Sequence, residues 1–224
     1  MGPIDQNIVN LGYDIFFNPE TLNCFSDASM RKISKVMNTC AGSIAVCCDN
    51  IVDELCTVTS DCTVPAAELR GIRNSLSLAY KWRNQFRVIN LFSDSLISIY
   101  GLRDSIYKWR FNYNDGSYYL KNNIVKNQEL IIECNMLVQE LQRNNNIVNI
   151  FHQKGHVKND IQELREAIET FKRSNHFNGK VDYNFIRSIS TYNNYIDEKT
   201  RSIIKRVNLM ENYYQDPIYF LRLT

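Results

Sequence analysis

Residues 86–94 read FRVINLFSD, a near-continuous apolar run that closes on Ser93-Asp94. Short runs of this kind, apolar on successive residues, form strands covered on both faces. The run therefore predicts an α/β sheet with helices above and below. Upstream lie three more segments of strand character. LNCFSDA ends at Asp27, and CAGSIAVCCDN and NIVDELCTVT follow closely. Their short spacing predicts an antiparallel meander. In AAELRGIRNSLSLAYKWR, Leu69, Ile72, Leu76 and Ala79 recur at helical spacing, with Pro65 just ahead, where its missing N–H is tolerated. After the 86–94 run, SLISIYGLRDSIYKWRF reads as a helix broken near Gly101, and NYNDGSYY as a turn-rich loop. VKNQELIIECNMLVQELQRN reads as an amphipathic helix with Leu130, Ile131, Cys134, Leu137, Val138 and Leu141 on one face. NIVNIFHQKGH reads as a fifth strand. A meander that switches to βαβ units gives a mixed five-stranded sheet with helices on both faces.

Composition narrows the function classes. At 224 residues and 44% hydrophobic content, the chain can bury one substantial core. A formal net charge of +2 does not mark a nucleic-acid binder, so any basic surface must be local. Seven cysteines, an odd number, fall largely inside apolar runs and follow no signal-peptide pattern. This predicts reduced thiols in a cytoplasmic protein. There is no C-x-x-C, and the three histidines sit apart from any cysteine pair, which argues against zinc. No apolar run approaches the roughly 20 residues of a membrane span.

Acidic residues stand at the ends of the predicted elements: Asp27, Asp94, and Glu68 at the start of the AAELRGI helix. Each has an ordinary explanation. Asp27 suits a turn at a strand end, Glu68 would favour a helix dipole in the first turn, and Asp94 could be the N-cap of SLISI. Together they suggest something else, because carboxylates gathered from several elements can hold two divalent cations.

Five motifs in order resemble the type 1 ribonuclease H family: FSDAS, AAELRGI, FSDSLISI, VKNQELI and FHQKGH. The resemblance covers roughly residues 20–205. It implies a ribonuclease H-like fold and a two-metal endonuclease, using Mg²⁺ or Mn²⁺, that cuts the RNA strand of RNA–DNA hybrids to leave 5′-phosphate and 3′-hydroxyl ends. Asp27, Glu68 and Asp94 would be metal ligands, and His156 a mobile residue assisting proton movement or product release. Thr63, Ser95, Lys126 and Asn127 would be phosphate or sugar contacts, and Trp109, in Lys108-Trp109-Arg110, part of a basic handle gripping the DNA strand.

The chain departs from the family after His156, where HVKNDIQELREAIETF replaces the expected run toward a fourth carboxylate. NNYIDEKTRSI matches better, which makes Asp197, near the start of a helix, the fourth ligand. Asp160, Glu163 and Glu166 are its rivals. The implied organisation is an N-terminal arm over 1–20, with GYDIFF a short strand, and a catalytic domain over 21–207. That domain would carry a helical insertion over about 157–190, and a C-terminal tail would follow over 208–224. A monomer is favoured. Two alternatives stay open: a structure-selective DNA nuclease such as a junction resolvase, and a non-catalytic module that binds nucleic acid or protein.

Overall fold

In a computed structural model, residues 10–33, 36–60, 63–158 and 160–211 are described. The central sheet contains β1 (Thr21–Ile33), β2 (Val36–Cys47), β3 (Asn50–Ser60), β4 (Val88–Ser93) and β5 (Ile147–His152), in the spatial order β3-β2-β1-β4-β5. β1, β2 and β3 pair antiparallel, whereas β1, β4 and β5 pair parallel. This is the mixed ribonuclease H-like sheet that the sequence predicts. The β2–β3 turn is made by Cys48 and Asp49, both at positive φ, a two-residue connection that matches strand twist.

Two apolar layers cover the sheet. α1 (Val64–Trp82), α2 (Leu96–Tyr100) and α3 (Gln128–Arg143) pack on Leu22, Cys24, Ile89, Leu91, Val148 and Ile150. The predicted stripe of α1 is buried at all four positions. On the other face, α4 (Ile161–Ser174) and α5 (Tyr183–Glu211) pack on Phe25, Phe92 and Phe151. Alternate residues of each parallel strand thus feed opposite layers, as the twofold repeat of a strand requires. Among the described residues, no helix is long and apolar enough to cross a membrane.

The parallel strands share a pattern that sets their register. NCFSD (23–27), NLFSD (90–94) and NIFHQ (149–153) align so that Asn23, Asn90 and Asn149 are neighbours, as are Phe25, Phe92 and Phe151. Asn90 donates to Asn23 Oδ1 and Asn149 donates to Asn90 Oδ1, each at 2.9 Å, and Asn23 donates to the Phe16 carbonyl at 2.7 Å. The Phe rings stack with centroids 4.9 and 5.2 Å apart. A one-residue slip would send every side chain to the wrong face.

Several local readings need correction. GYDIFF is not a strand but a helical turn at Tyr13–Phe16, and Phe16 and Phe17 are buried in the aromatic layer. Residues 10–20 therefore form part of the core rather than an extended arm, and Asn10–Leu11 pairs with Lys180–Val181. The remainder of the arm, residues 1–9, and most of the 208–224 tail lie outside the described residues. NYNDGSYY is a turn over residues 113–116, as expected, but its two ends are strands. It contributes to a small three-stranded sheet of Arg110–Asn112, Ser117–Leu120 and Asn123–Ile124. The helix break at Gly101 is present as a wider turn over Gly101–Ser105.

The asparagine ladder makes a prediction. Asn90→Ala strands one buried acceptor and one donor, each costing about 1–3 kcal/mol. Chemical denaturation should show a loss of about 2 kcal/mol or more, and an unchanged midpoint would contradict the ladder's role.

Candidate metal centre

The parallel pairing of β1 with β4 ends at Ser26 and Ser93, and the next residue on each strand is an aspartate. Asp27 and Asp94 thus emerge side by side from neighbouring strands. Asp27 is not at the tip of its strand, as the apolar run suggested, because β1 continues to Ile33 while its parallel partner stops. Glu68 enters from α1. It stands one turn inside that helix, whose N-cap is Thr63, so the first-turn dipole explanation does not apply. Nor does Asp94 cap α2, since Ser95 holds that position. One carboxylate oxygen from each of Asp27, Glu68 and Asp94 lies within 4.8 Å of the others.

Asp197 approaches from the opposite face of the sheet. It is roughly four turns into a continuous α5, not near a helix start as expected. Asp27 lies within hydrogen-bonding reach of it. All four acids line one open cleft of about 640 Å³ with His156 and Arg201, room for sugar–phosphate units as well as ions. Arg201 Nε binds Asp197 Oδ1 at 2.8 Å, and His156 Nδ1 is 3.5 Å from Asp197 Oδ2. The rivals face elsewhere. Asp160 caps α4 by accepting from Glu163 N at 2.9 Å, Glu163 accepts from Lys158 N, and exposed Glu166 pairs with Lys154.

Three carboxyl groups in so small a space resist ionisation. Burial, reinforced by the charges of Asp94 and Asp197, pushes the Asp27 carboxyl up to about 8. Burial and the same neighbours push Glu68 up to about 9. Burial also raises Asp94, against the lowering influence of His156. Asp27 Oδ2 and Glu68 Oε2 are buried with no hydrogen-bond partner. Orphaned acidic oxygens converging from different elements are what a hard divalent cation needs, so the residues fit Mg²⁺ or Mn²⁺.

The surroundings contain residues that the motifs did not single out. Gly155 passes so close to Asp94 that a Cβ there would sit 2.3 Å from its Oδ2. Gln153 occupies the strand position equivalent to Asp27 and Asp94, and its amide donates to Asn193 Oδ1 at 2.6 Å. Asn193 in turn stands beside Asp94 and favours its charged form. The visible signal was the repeated Asn-x-Phe-x-acid spacing, with Gln153 in the third copy.

No family model matches the chain, and no curated protein matches it. Several solved structures resemble it. Ribonuclease H1 from the halophilic archaeon Halobacterium salinarum NRC-1 is 16% identical, with a TM-score of 0.40 over 67% of this chain and 92% of its own. The PFV ribonuclease H domain is 14% identical, with a TM-score of 0.49 over 72% and 96%. LC11-RNase H1, solved in complex with an RNA/DNA hybrid, is 13% identical, with a TM-score of 0.43 over 67% and 98%. By strand order and direction, the chain has the ribonuclease H-like fold.

In this ribonuclease H-like frame, the five expected substrate contacts lie outside the lining of the cleft, although Ser95 directly follows Asp94. Thr63, Ser95, Trp109, Lys126 and Asn127 are not among the residues lining the cleft. Thr63 caps α1 and Ser95 bonds Ser98. Trp109 packs its ring near Tyr118 and against the first core layer, with its indole N–H buried and unpartnered. Lys126 is exposed, and Asn127 precedes α3 in a left-handed conformation.

The raised carboxyls set a sign for pH dependence. Below their ordinary values of 3.8 and 4.5, Asp27 and Glu68 are protonated in both folded and unfolded chains. As pH climbs toward 8–9 the unfolded chain releases protons that the folded one retains, so their contribution to stability falls. Without metal, Asp27→Asn should melt at or above the wild-type temperature, with the gap widening from pH 5 to pH 8. A domain of this size shifts by about 2–4 °C per kcal/mol. A gap that narrows with pH would contradict the electrostatic account. Gly155→Ala should displace a side chain rather than the backbone. It should therefore keep its melting temperature while losing most metal-dependent activity, and an active variant would show that the Asp94 position is not critical.

Proposed function

We propose that the chain is a metal-dependent endonuclease that hydrolyses the RNA strand of RNA–DNA hybrids, leaving 5′-phosphate and 3′-hydroxyl products. The observation that carries this is the convergence of Asp27, Glu68, Asp94 and Asp197 in one cleft, with two carboxylate oxygens buried and unpaired. A non-catalytic binding module has no use for such mutually repelling acids. The hybrid as substrate follows the sequence motifs, and the similar LC11-RNase H1 was solved with an RNA/DNA hybrid.

Asp27, Glu68 and Asp94, with Asp197 facing them across the cleft, would hold the Mg²⁺ or Mn²⁺ ions. Bound cations of this kind lower the pKa of water and neutralise charge on the attacked phosphate. The chain's own residues do the rest. Gln153 holds Asn193 beside Asp94, where it favours the charged carboxylate, and Gly155 leaves that carboxylate room. His156 is largely exposed at the cleft mouth, where an imidazole can accept or release a proton to solvent.

Labelled hybrid, duplex RNA, duplex DNA and a four-way junction, each with Mg²⁺ or Mn²⁺, test the reading directly. Cleavage of the hybrid's RNA strand is expected. Cutting of the junction alone would favour the resolvase alternative, and no cutting would favour a binding module. The fourth ligand has its own test. Asp197→Asn should lose about two orders of magnitude or more in rate, beyond the 10–100-fold typical of outer-shell changes. Asp160→Asn should keep both its activity and its helix cap, because an asparagine oxygen caps as well as an aspartate one. The reverse ranking would overturn the Asp197 assignment.

A further inference from the structure

The cleft does not end at the carboxylates. Asp27, Ser29 and Arg31 are alternate residues of β1 and so lie along one face of that strand. On α5, Asp197, Arg201 and Lys205 recur every four residues along one helix face, with Thr200 beside them. The two rows oppose one another. Asp27 meets Asp197, and Ser29 Oγ bonds Thr200 Oγ1 at 2.8 Å in a buried contact. Gly42 on β2 lets α5 come this close, since a Cβ there would lie 2.5 Å from Thr200 Cγ2. From Asp27 to Arg31 is about 13 Å along the strand, and from Asp197 to Lys205 about 12 Å along the helix. The rows therefore stay in step, and Arg31, Arg201 and Lys205 all line the same cleft.

Three cations thus line the cleft together with the four acids. Arg201 is held through Nε by Asp197, its Nη2 lies 3.5 Å from His156 Nε2, and its side chain is still 53% exposed. Arg31 and Lys205 are exposed, and among the described residues neither has a salt-bridge partner. Arg31 and Lys205, without salt-bridge partners among the described residues and lining one cleft with the paired Arg201, add positive potential that favours an anionic ligand. In a chain of net charge +2, this local stripe is the means of drawing in a polyanion.

Building on the nuclease reading, we propose that Arg31, Arg201 and Lys205 form a backbone track that grips phosphates flanking the one held at the carboxylates. The cut strand would then lie in the open cleft along the outer edge of the β1–α5 contact. The span of about 12 Å exceeds the axial step of about 3.4 Å per nucleotide, so the contacts reach beyond a single phosphate. The contacts are to phosphate alone, so they raise affinity for any sequence equally.

The test uses the full chain carrying Asp94→Asn, so that substrate survives, and a fluorescent hybrid in Mg²⁺. Affinity is measured against salt. Arg31→Gln with Lys205→Gln should reduce the slope of log K against log salt by about 1.4–1.8, two phosphate contacts' worth. Arg31→Lys with Lys205→Arg should restore it. A charge-matched control, Lys81→Gln with Arg143→Gln, should leave it unchanged. An unaltered slope in the first variant, or an equal fall in the control, would overturn the track while leaving the nuclease reading intact. Wild-type protein that neither cuts nor binds any nucleic acid would overturn both.

Discussion

Mutual repulsion among Asp27, Glu68 and Asp94 is the constraint around which the molecule is arranged. Separate carboxylates in water would stay apart, yet here three are held within a few ångströms and partly out of solvent. The energy that holds them comes from the two apolar layers and from the in-register Asn and Phe ladders beneath. The Phe rungs of those ladders stand two residues before each aspartate. The register that stacks Phe25, Phe92 and Phe151 is thus the register that places the acids together. A cation would relieve the repulsion that the fold sustains in its absence.

α5 ties the cleft to the second layer. Its length, 29 residues, carries it from the aromatic cluster at Phe185 and Ile189 to the cleft at Asp197, and on to Lys205. A carboxylate in the middle of a packed helix is better fixed than one on a loop. Arg201 balances the charge of Asp197, and His156 bridges the two, with Nδ1 3.5 Å from Asp197 and Nε2 3.5 Å from Arg201.

The fold class was legible because its signals are local. The alternation in the meander, the doubly apolar run at 86–94 and the α1 stripe each carry their own period. The same holds for Asp27, Glu68 and Asp94, which stand where those periods break. What escaped depended on contacts distant in sequence. GYDIFF has the composition of a strand, but Phe16 and Phe17 are drawn into a helical turn by an aromatic layer whose other members lie at 92, 151 and 185. NYNDGSYY looks like a loop because its three short strands gain stability only by pairing with one another. Apolar content gave the end of β1 at Asp27, whereas the strand continues through polar Ser29 and Arg31, paired with β2. Gln153 and Gly155 lie within FHQKGH and Asn193 within NNYIDEKTRSI, yet those motifs assigned them no part in the site, and only the repeat of Asn-x-Phe spacing hinted at the first.

Calorimetry of Mg²⁺ or Mn²⁺ binding near pH 7, repeated in two buffers of different ionisation enthalpy, addresses the central claim most directly. If Asp27 and Glu68 hold protons at that pH, cation binding must expel them, and the apparent heat will change with buffer in proportion. The account predicts saturable binding with release of about one proton or more, and a smaller release in Asp27→Asn, where Glu68 alone is left to give up a proton. Absence of binding, or binding with no dependence on buffer, would contradict it.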